Sequence, residues 1–225
     1  MNPSSIVGTQ TGAGLAPLSG ALAELRPGPS ASASDPERAR RARRDARLMA
    51  GVQEGDASAF EQIVECHKDS LVNYLFRLTR CRDRAEEYAQ EAFLRLYQRC
   101  DQYRERGLLS AYLFRIATNL VRSDERRRRR WRLLSPFLDQ DERARDPSPQ
   151  RELLHGEATE VVSEAISRLP LAFRAPLVLR EIEGLSYQEI AEALECRIGT
   201  VKSRINRAKS QLREKLELYW QGGGR

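Results

Sequence analysis

Residues 186–209 read SYQEIAEALECRIGTVKSRINRAK, and this stretch decides the fold of the C-terminal half of the chain. Ser186 followed three residues later by Glu189 is the pattern of a capping box, which begins a helix. The helical period breaks at 195–199, and Thr200 is the predicted cap of a second helix. Two short helices joined by a tight turn form a helix-turn-helix, whose second helix can enter the major groove of DNA.

The second predicted helix has an apolar face and a cationic face. Its apolar positions fall at helical spacing and predict a buried stripe of Val201, Ile205, Ala208 and Leu212. No Asp or Glu occurs from residue 200 to residue 212, although the chain is rich in both. A plain helical hairpin with a solvated basic surface is the alternative. Because Arg, Lys and Ser side chains bind phosphates and base edges, the composition favours DNA reading.

The composition of the whole chain indicates a helical protein with an acidic partner. The 225 residues carry a net charge of +6, with 31% charged and 7% aromatic residues. This excess of positive charge favours nucleic acid. No apolar run approaches the roughly 20 residues that span a bilayer, and the N-terminus lacks the pattern of a secretory signal, so we expect no membrane insertion. The four cysteines form no CxxC pair, so we expect neither a metal site nor a cofactor. A redox-sensing cysteine pair remains open.

The N-terminal end changes character at residue 35. Residues 1–34 are rich in Gly, Ala, Pro and Ser and are predicted to be a disordered tail. The sequence Asp35-Pro36-Glu37 predicts a helix start. Six arginines follow between residues 38 and 47. A basic arm that touches nucleic acid and a solvated helix are equally compatible with this run.

Residues 56–132 predict three amphipathic helices, with Asp56, Asp83 and Ser110 as their caps. The third helix ends in the run RRRRRWR at 126–132. Residues 133–156 contain prolines and many charges and are predicted to be a linker. The fold class is therefore all-α, with two small helical domains. The predicted segments are a tail at 1–34, a first domain at 35–132, the linker at 133–156, a second domain at 157–218, and a flexible tail at 219–225.

These parts together resemble the extracytoplasmic-function group of bacterial sigma factors, in the sigma-70 family. The matching stretches, spread over about 48–216, are GDASAFEQIVECHKDSLVNYLFRLT, DRAEEYAQEAFLRLY, AYLFRIATNLVRSDERRR, SRLPLAFRAPLVLREIEGLSYQEIAEAL and GTVKSRINRAK. The resemblance implies a non-catalytic subunit that joins core RNA polymerase, recognises −35 and −10 promoter elements and assists DNA melting. It implies region 2 for the first domain, region 4 for the second, and a cytoplasmic, nucleoid-associated location.

The resemblance also implies roles for particular residues. The −35 element would be read by Arg197, Thr200, Lys202, Ser203, Arg204 and Arg207. The −10 element would be bound by Tyr103, Tyr112, Arg115, Asn119, Arg122, Arg126 and Arg127. The clamp helices of the largest polymerase subunit would be bound by Glu86, Glu87, Gln90 and Glu91. The linker would thread toward the polymerase channels, and an anti-sigma factor would be a further partner. Phe114 is as compatible with a core aromatic as with a DNA contact.

The chain departs from the family at three places. Glu195 stands where the helix-turn-helix turn usually carries glycine, which predicts a left-handed residue at a cost of roughly 1 kcal/mol or a different turn. Tyr112 stands where family members often have tryptophan. The extension before residue 45 is outside the family core.

Two other functions remain as alternatives. An autonomous helix-turn-helix regulator would bind DNA without polymerase, but it needs a dimerisation surface that no heptad supplies. A nuclease would need Glu86, Glu87 and Glu91 to hold Mg²⁺, but no second acidic cluster faces them.

Overall fold

The computed structural model describes residues 36–104, 108–134 and 157–221. The predicted N-terminal tail and linker residues 135–156 lie outside the described residues, as do residues 105–107 of the loop before the third predicted helix and the last residues of the chain.

The described residues form α-helices and one 3-10 turn, with no strand, which confirms the all-α fold class. The bounds are α1 Pro36–Gln53, α2 Ala57–Thr79, α3 Arg82–Gln98, the 3-10 turn Cys100–Gln102, α4 Leu109–Leu134, α5 Glu157–Ser167, α6 Leu171–Glu181, α7 Tyr187–Ala193 and α8 Ile198–Gln221.

The first four helices form an N-terminal unit around one core. Helix α2 packs against α1, α3 and α4, and α3 packs against α4. The centre of this core is polar at one point, because the buried Tyr74 hydroxyl lies 2.7 Å from the Thr118 hydroxyl. Thr118 also donates to the Phe114 carbonyl at 2.6 Å. A buried hydroxyl must find such partners, so this pair fixes the rotation of α4 against α2.

Helices α5–α8 form a C-terminal unit in which α8 packs against α5, α6 and α7. The predicted stripe of Val201, Ile205, Ala208 and Leu212 is buried, at 2% exposure or less. Pro176 lies in the sixth position of α6 and is also buried. Gly184 has φ of +74° just after α6, as expected of a helix-ending glycine.

Local capping signals located some helix starts correctly and missed others. Asp56 accepts from the Ser58 amide at 2.8 Å, and the Ser186–Glu189 capping box is complete, so both predictions are confirmed. The other predicted caps are wrong: α3 begins at Arg82 rather than after Asp83, α4 begins before Ser110, and α8 begins at Ile198, two residues before Thr200. At α3 the residue before the helix is Cys81, which makes no side-chain cap.

Two helices run past the predicted ends of the first and second domains. Helix α4 continues through Leu134, into the predicted linker, because the arginine run extends the helix rather than ending it. Helix α8 continues through Gln221, past the predicted start of the C-terminal tail at 219.

The N-terminal and C-terminal units pack against each other. Helix α4 lies against α7, and α2 lies against α5 and α6. Polar contacts cross this boundary: Arg80 pairs with Glu164, and the Ser70 hydroxyl donates to the Glu183 carboxylate at 2.6 Å. Arg38, near the start of α1, reaches Glu189 at the start of α7. This packed arrangement, called here the closed arrangement, places the helix-turn-helix directly against α4.

Candidate nucleic-acid interface

The helix-turn-helix is built by three local features of the sequence. The capping box begins α7, with the Glu189 carboxylate accepting from the Ser186 amide at 2.7 Å. Glu195 then adopts φ of +52°, which is the left-handed one of the two alternatives that the sequence left open. This conformation lets the Cys196 amide reach back to the Ala191 carbonyl at 3.0 Å, which ends α7 tightly. The chain therefore turns within four residues and starts α8 at Ile198.

The six residues predicted to read the −35 element lie together at the start of α8. Arg197, Lys202, Ser203 and Arg207 are exposed, whereas Thr200 and Arg204 are partly buried. Ser203 donates to the Thr200 carbonyl at 3.0 Å, which occupies its hydroxyl proton but leaves its oxygen free to accept. Lys209, further along the same helix, pairs with Glu181 at 2.9 Å.

Tyr187 is a residue of this face that the sequence reasoning missed. It begins α7 and is 36% exposed. The Arg180 guanidinium lies 4.8 Å from its ring centroid, and the Lys202 ammonium lies 5.6 Å from it. Such contacts hold cations over an aromatic face. Tyr187 therefore positions Lys202, and no periodic signal in the sequence distinguishes it from a solvated tyrosine.

The residues predicted to bind the −10 element divide into a clustered group and a cationic tail. The Tyr103 and Tyr112 rings meet edge to face at 5.2 Å, and the Arg115 guanidinium lies 4.6 Å from the Tyr112 ring centroid. Tyr103 is buried at 7% exposure, so in this structure only Tyr112 and Arg115 of the cluster reach solvent. Gln53 of α1 supports the cluster by donating to the Cys100 carbonyl at 2.8 Å.

Phe114, for which the sequence left two possibilities, is a core residue. It is 2% exposed, and its ring meets that of Tyr74 at 4.9 Å in an edge-on contact. An aromatic ring packed in this way contributes to the core and presents no face to a ligand.

The cationic tail of α4 is less free than the sequence suggests. Arg126 and Arg127 are exposed, and Arg122 is partly buried. Asp124 pairs with Arg127 at 2.9 Å and with Arg128 at 2.6 Å. Burial raises the pKa of Asp124, but hydrogen bonds from Tyr88 and Arg127 and the charge of Arg128 outweigh it and lower the pKa below its usual value. One carboxylate thus neutralises part of the arginine run. Trp131, 60% exposed in the same tail, was not predicted as a site residue.

The −10 and −35 candidates meet at Glu195. Its carboxylate lies 3.4 Å from the Asn119 amide nitrogen and 4.0 Å from the Arg115 guanidinium. Asn119 and Arg115 are both predicted −10 residues, and Glu195 lies in the turn before the −35 helix. In the closed arrangement these two side chains therefore face protein.

A second titratable group lies at the boundary between the two units. Glu183 follows α6 and accepts from Ser70 of α2. Its Oε1 is buried and has no hydrogen-bond partner among the described residues. Burial raises the pKa of Glu183 to about 7, against the lowering effects of the Ser70 hydrogen bond and the Arg77 charge. The closed arrangement thus holds a carboxyl group that titrates near neutral pH.

The predicted polymerase-binding residues lie on the outer side of α3. Glu86, Glu87 and Gln90 are exposed and Glu91 is partly buried. Glu86 pairs with Arg82 at 2.5 Å, and Glu91 pairs with Arg95 at 2.6 Å. Leu94 and Tyr97, each 48% exposed, continue this side by helical spacing, and the sequence reasoning missed both. The face is therefore acidic at one end and apolar at the other.

Neither a metal site nor a membrane span occurs in the part of the chain that the structure describes. No group of three His, Cys, Asp or Glu side chains there is arranged to hold a metal ion. None of the described helices is both long and apolar enough to cross a membrane.

Comparison with known proteins gives matches to both units. Residues 63–132 match the family model described as Sigma-70 region 2, and residues 159–212 match Sigma-70, region 4. The RNA polymerase sigma-H factor of Pseudomonas aeruginosa is 33% identical over 181 residues, which cover 77% of this chain and 94% of that protein. The ECF RNA polymerase sigma factor SigW of Bacillus subtilis is 33% identical over 173 residues, covering 73% of this chain and 92% of SigW.

Two solved structures share the fold. The sigma factor RpoE bound to the anti-sigma factor NepR, from Bartonella quintana, superimposes with a TM-score of 0.57 at 24% identity, over 71% of this chain and 97% of that one. CnrH in complex with the cytosolic domain of CnrY gives a TM-score of 0.57 at 26% identity, over 77% of this chain and 97% of CnrH.

Proposed function

The chain belongs to the extracytoplasmic-function sigma factors of the sigma-70 family, and on that premise we propose which of its residues bind promoter DNA and RNA polymerase. It is a sigma factor that directs promoter-specific transcription initiation. The alternative of an autonomous regulator is not favoured. We assign region 2 to residues 35–132 and region 4 to residues 157–218, with the linker at 133–156 between them.

The exposed cationic start of α8 is the observation that carries the −35 assignment. Arg197, Lys202 and Arg207 project outward while the opposite side of the helix is buried against its own unit. Residues at the start of such a helix reach base edges in the major groove. Arg204 is partly buried and would contact the −35 DNA from the edge of the same face. Thr200 and Ser203 add oxygens that accept or donate hydrogen bonds.

The −10 assignment rests on a cluster that exposes one aromatic edge and one cation. Tyr112 and Arg115 lie in the first turns of α4, and Asn119 follows one turn after Arg115. A melted strand needs an aromatic surface for stacking and cations for its phosphates. Arg122, Arg126 and Arg127 extend the cationic surface along α4. Tyr103 contributes indirectly, because its ring packs edge to face against that of Tyr112.

The closed arrangement is the form of the chain that does not hold −10 DNA. The Glu195 carboxylate lies 3.4 Å from the Asn119 amide nitrogen and 4.0 Å from Arg115, so the phosphates of a strand at these side chains would meet a negative charge. Binding to the promoter therefore separates α4 from α7. A partner such as an anti-sigma factor, of the kind present with RpoE in the related structure, would oppose transcription by holding these units together.

The acidic and apolar face of α3 is the surface proposed for core RNA polymerase. Glu86, Glu87, Gln90 and Glu91 supply charge for a basic partner, here the clamp helices of the largest subunit. Leu94 and Tyr97 supply apolar area that water otherwise covers. The chain carries no catalytic step of its own: the polymerase supplies the chemistry, and the chain acts where that polymerase and the promoter are, in the cytoplasm.

The test uses the full chain, core RNA polymerase and a promoter library. Start-site-specific transcripts should appear only when the chain is present. The variant Glu87→Lys with Glu91→Lys should lower core affinity at least tenfold, because it reverses two charges at the proposed contact. The matched control is Glu61→Lys with Glu65→Lys, which makes the same change at the same helical spacing on exposed positions of α2. Equal losses of core affinity in both variants would contradict the assignment of α3 as the polymerase-binding surface. Absence of specific transcripts would contradict the proposed function.

A further inference from the structure

The six arginines of α1 fall into two structural classes. Three of them contact acidic groups: Arg41 lies 2.5 Å from Glu37, Arg44 lies 3.1 Å from Asp45, and Arg38 contacts Glu189. The other three, Arg40, Arg43 and Arg47, make no ion pair among the described residues and are exposed. The helix therefore neutralises half of its arginines and leaves the other half open to solvent.

The three open arginines form one stripe on the outer side of α1. They are separated by three and four residues, which places them on one face of a helix with 3.6 residues per turn. The buried residues of α1, Asp45, Met49 and Val52, occupy the opposite side. This stripe, called here the α1 arginine stripe, spans about 10 Å at roughly 1.5 Å per residue.

Helix stability does not account for the α1 arginine stripe. Like charges three and four residues apart repel each other, so three arginines without ion pairs on one face do not stabilise the helix. Neutral side chains or charges of mixed sign would suit a merely solvated face better. The stripe therefore suits a polyanion with evenly spaced charges, and one strand of duplex DNA presents a charge about every 3.4 Å of its axis.

The position of α1 identifies the polyanion. Gln53, at the end of α1, donates to the Cys100 carbonyl at 2.8 Å and so fixes the helix beside the segment proposed to bind the −10 element. At roughly 1.5 Å per residue, Arg47 lies about 9 Å and Arg40 about 20 Å along the helix from Gln53. DNA held at the −10 segment therefore has its flanking backbone within reach of the stripe.

We propose that Arg40, Arg43 and Arg47 bind the phosphate backbone of promoter DNA that flanks the −10 element. The occupant is the promoter itself rather than the polymerase or a free anion. The inference adds a contact to those proposed above, since Arg40, Arg43 and Arg47 all precede the stretch at about 48–216 that resembles the family. It rests on the chain binding promoters but not on the particular −10 and −35 residues proposed above.

The test measures the salt dependence of the holoenzyme–promoter complex, with a promoter recovered from the library. Each phosphate contact contributes about 0.9 to the slope of log K against log salt concentration for duplex DNA. The variant Arg40→Ala with Arg43→Ala and Arg47→Ala should reduce this slope by about 2–3, with affinity for core polymerase unchanged. Alanine favours helix, so the fold should survive, and circular dichroism checks it.

Two further variants make the result specific. Arg41→Ala removes one exposed charge from the same helix, but from an arginine already paired with Glu37, and should leave the slope unchanged. Replacing the three stripe residues with lysine should retain most of the slope, because lysine still contacts phosphate as a point charge. A photo-crosslinker at position 43 should attach to promoter DNA.

Three outcomes would overturn the proposal. A slope equal to that of the unmodified chain would make the stripe a solvated surface. A loss confined to core affinity, or a crosslink only to polymerase, would make the partner a protein. A fall of the slope in Arg41→Ala equal to one third of that in the triple variant would reduce the result to a general effect of net charge. In each case, specific transcripts from the unmodified holoenzyme would leave the proposed function intact.

Discussion

Helices α8 and α4 both carry predicted DNA-binding residues, but they present them in opposite ways. On α8 the cations lie on an outer side that is separate from the buried stripe. On α4 the candidates alternate with core residues, and two of them contact the C-terminal unit through Glu195. The −35 surface is therefore available before DNA arrives. On the proposed −10 surface, Arg115 and Asn119 become fully available only after their contact with Glu195 is broken.

The difference follows from how many neighbours each helix has. The start of α8 packs on one side only, against its own unit. Helix α4 packs against α2 and α3 on one side and against α7 on the other. A helix covered on two sides has few positions that serve only a ligand, so its functional residues also take part in packing. This contrast can be tested by changes in each helix.

The largest expected effect is that of Phe114→Ala on α4. Removing a fully buried aromatic side chain costs about 3–5 kcal/mol of stability, because it leaves a cavity beside Tyr74. Chemical denaturation should show this loss. Phe114→Leu keeps most of the volume and should restore folding and promoter melting together. If Phe114→Leu folds normally but no longer melts promoters, α4 exposes this ring to DNA in another state.

The next effect concerns pH and the closed arrangement. The pKa of Glu183 is raised to about 7 at the boundary between the units, against about 4.3 for a hydrated glutamate. The closed form therefore binds the proton more tightly than an open form does. The contribution of this carboxyl group to the stability of the closed form is complete below about pH 4 and is lost as the pH rises through 7. Over this range the ratio of closed to open chains falls by at most tenfold per pH unit.

Energy transfer between dyes at exposed positions 61 and 214 would measure this equilibrium. The distance should increase between pH 5.5 and pH 8. Glu183→Gln remains neutral and keeps a polar group for Ser70, so it should flatten the pH dependence. If the unmodified chain shows no change in distance over this range, the boundary does not open at Glu183.

A smaller effect is expected from Arg204→Ala with Arg207→Ala on α8. Each specific contact to a base contributes about 1–3 kcal/mol, so the loss of two should lower −35-dependent transcription by about 30-fold or more. Stability should change little because neither side chain is in the core. Lys215→Ala, an exposed cation further along α8, is the matched control. A large fall in the melting temperature would show that these α8 side chains also take part in packing, as the candidates on α4 do.

The smallest effect is that of Glu195→Gly, which acts on the contact between the two helices. Glycine accepts φ of +52° without the roughly 1 kcal/mol that a side chain costs there. The C-terminal unit should unfold a few degrees higher, while Arg115 and Asn119 lose their partner. Glu195→Gln keeps the strain and an oxygen for Asn119. A lower unfolding temperature for Glu195→Gly would mean that the contact to α4 outweighs the strain.

The sequence predicted the local features of this fold well. The all-α class, the Ser186–Glu189 capping box, the Asp56 cap and, as one of two alternatives, the left-handed Glu195 were all predicted, because each depends on neighbouring residues only. Asp83, Ser110 and Thr200 failed as caps because a helix can start on backbone hydrogen bonds alone. At α8, the Val201 amide bonds to the Arg197 carbonyl at 3.1 Å and extends the helix upstream of Thr200.

The exposure of the proposed −35 residues was easier to predict than that of the proposed −10 residues, for the same physical reason. The outer side of α8 can be read from a single helical period. Burial of Tyr103 and Phe114, the pairing of Arg127 with Asp124 and the contact of Asn119 with Glu195 depend on how separate helices meet. Glu183 likewise gave no signal, because its raised pKa arises from burial against a helix more than one hundred residues away in the chain.

Under the proposed −35 assignment, promoter choice is a separable module, because α4 contacts α7 rather than the outer side of α8. A designer who replaces the outward residues Lys202, Ser203 and Arg207 to address a different promoter would leave the surface that closes the chain untouched. Several such variants, each with its own set of promoters, should then share one opening equilibrium and one inhibitory partner. This property suits a family of orthogonal transcription circuits governed by a single input.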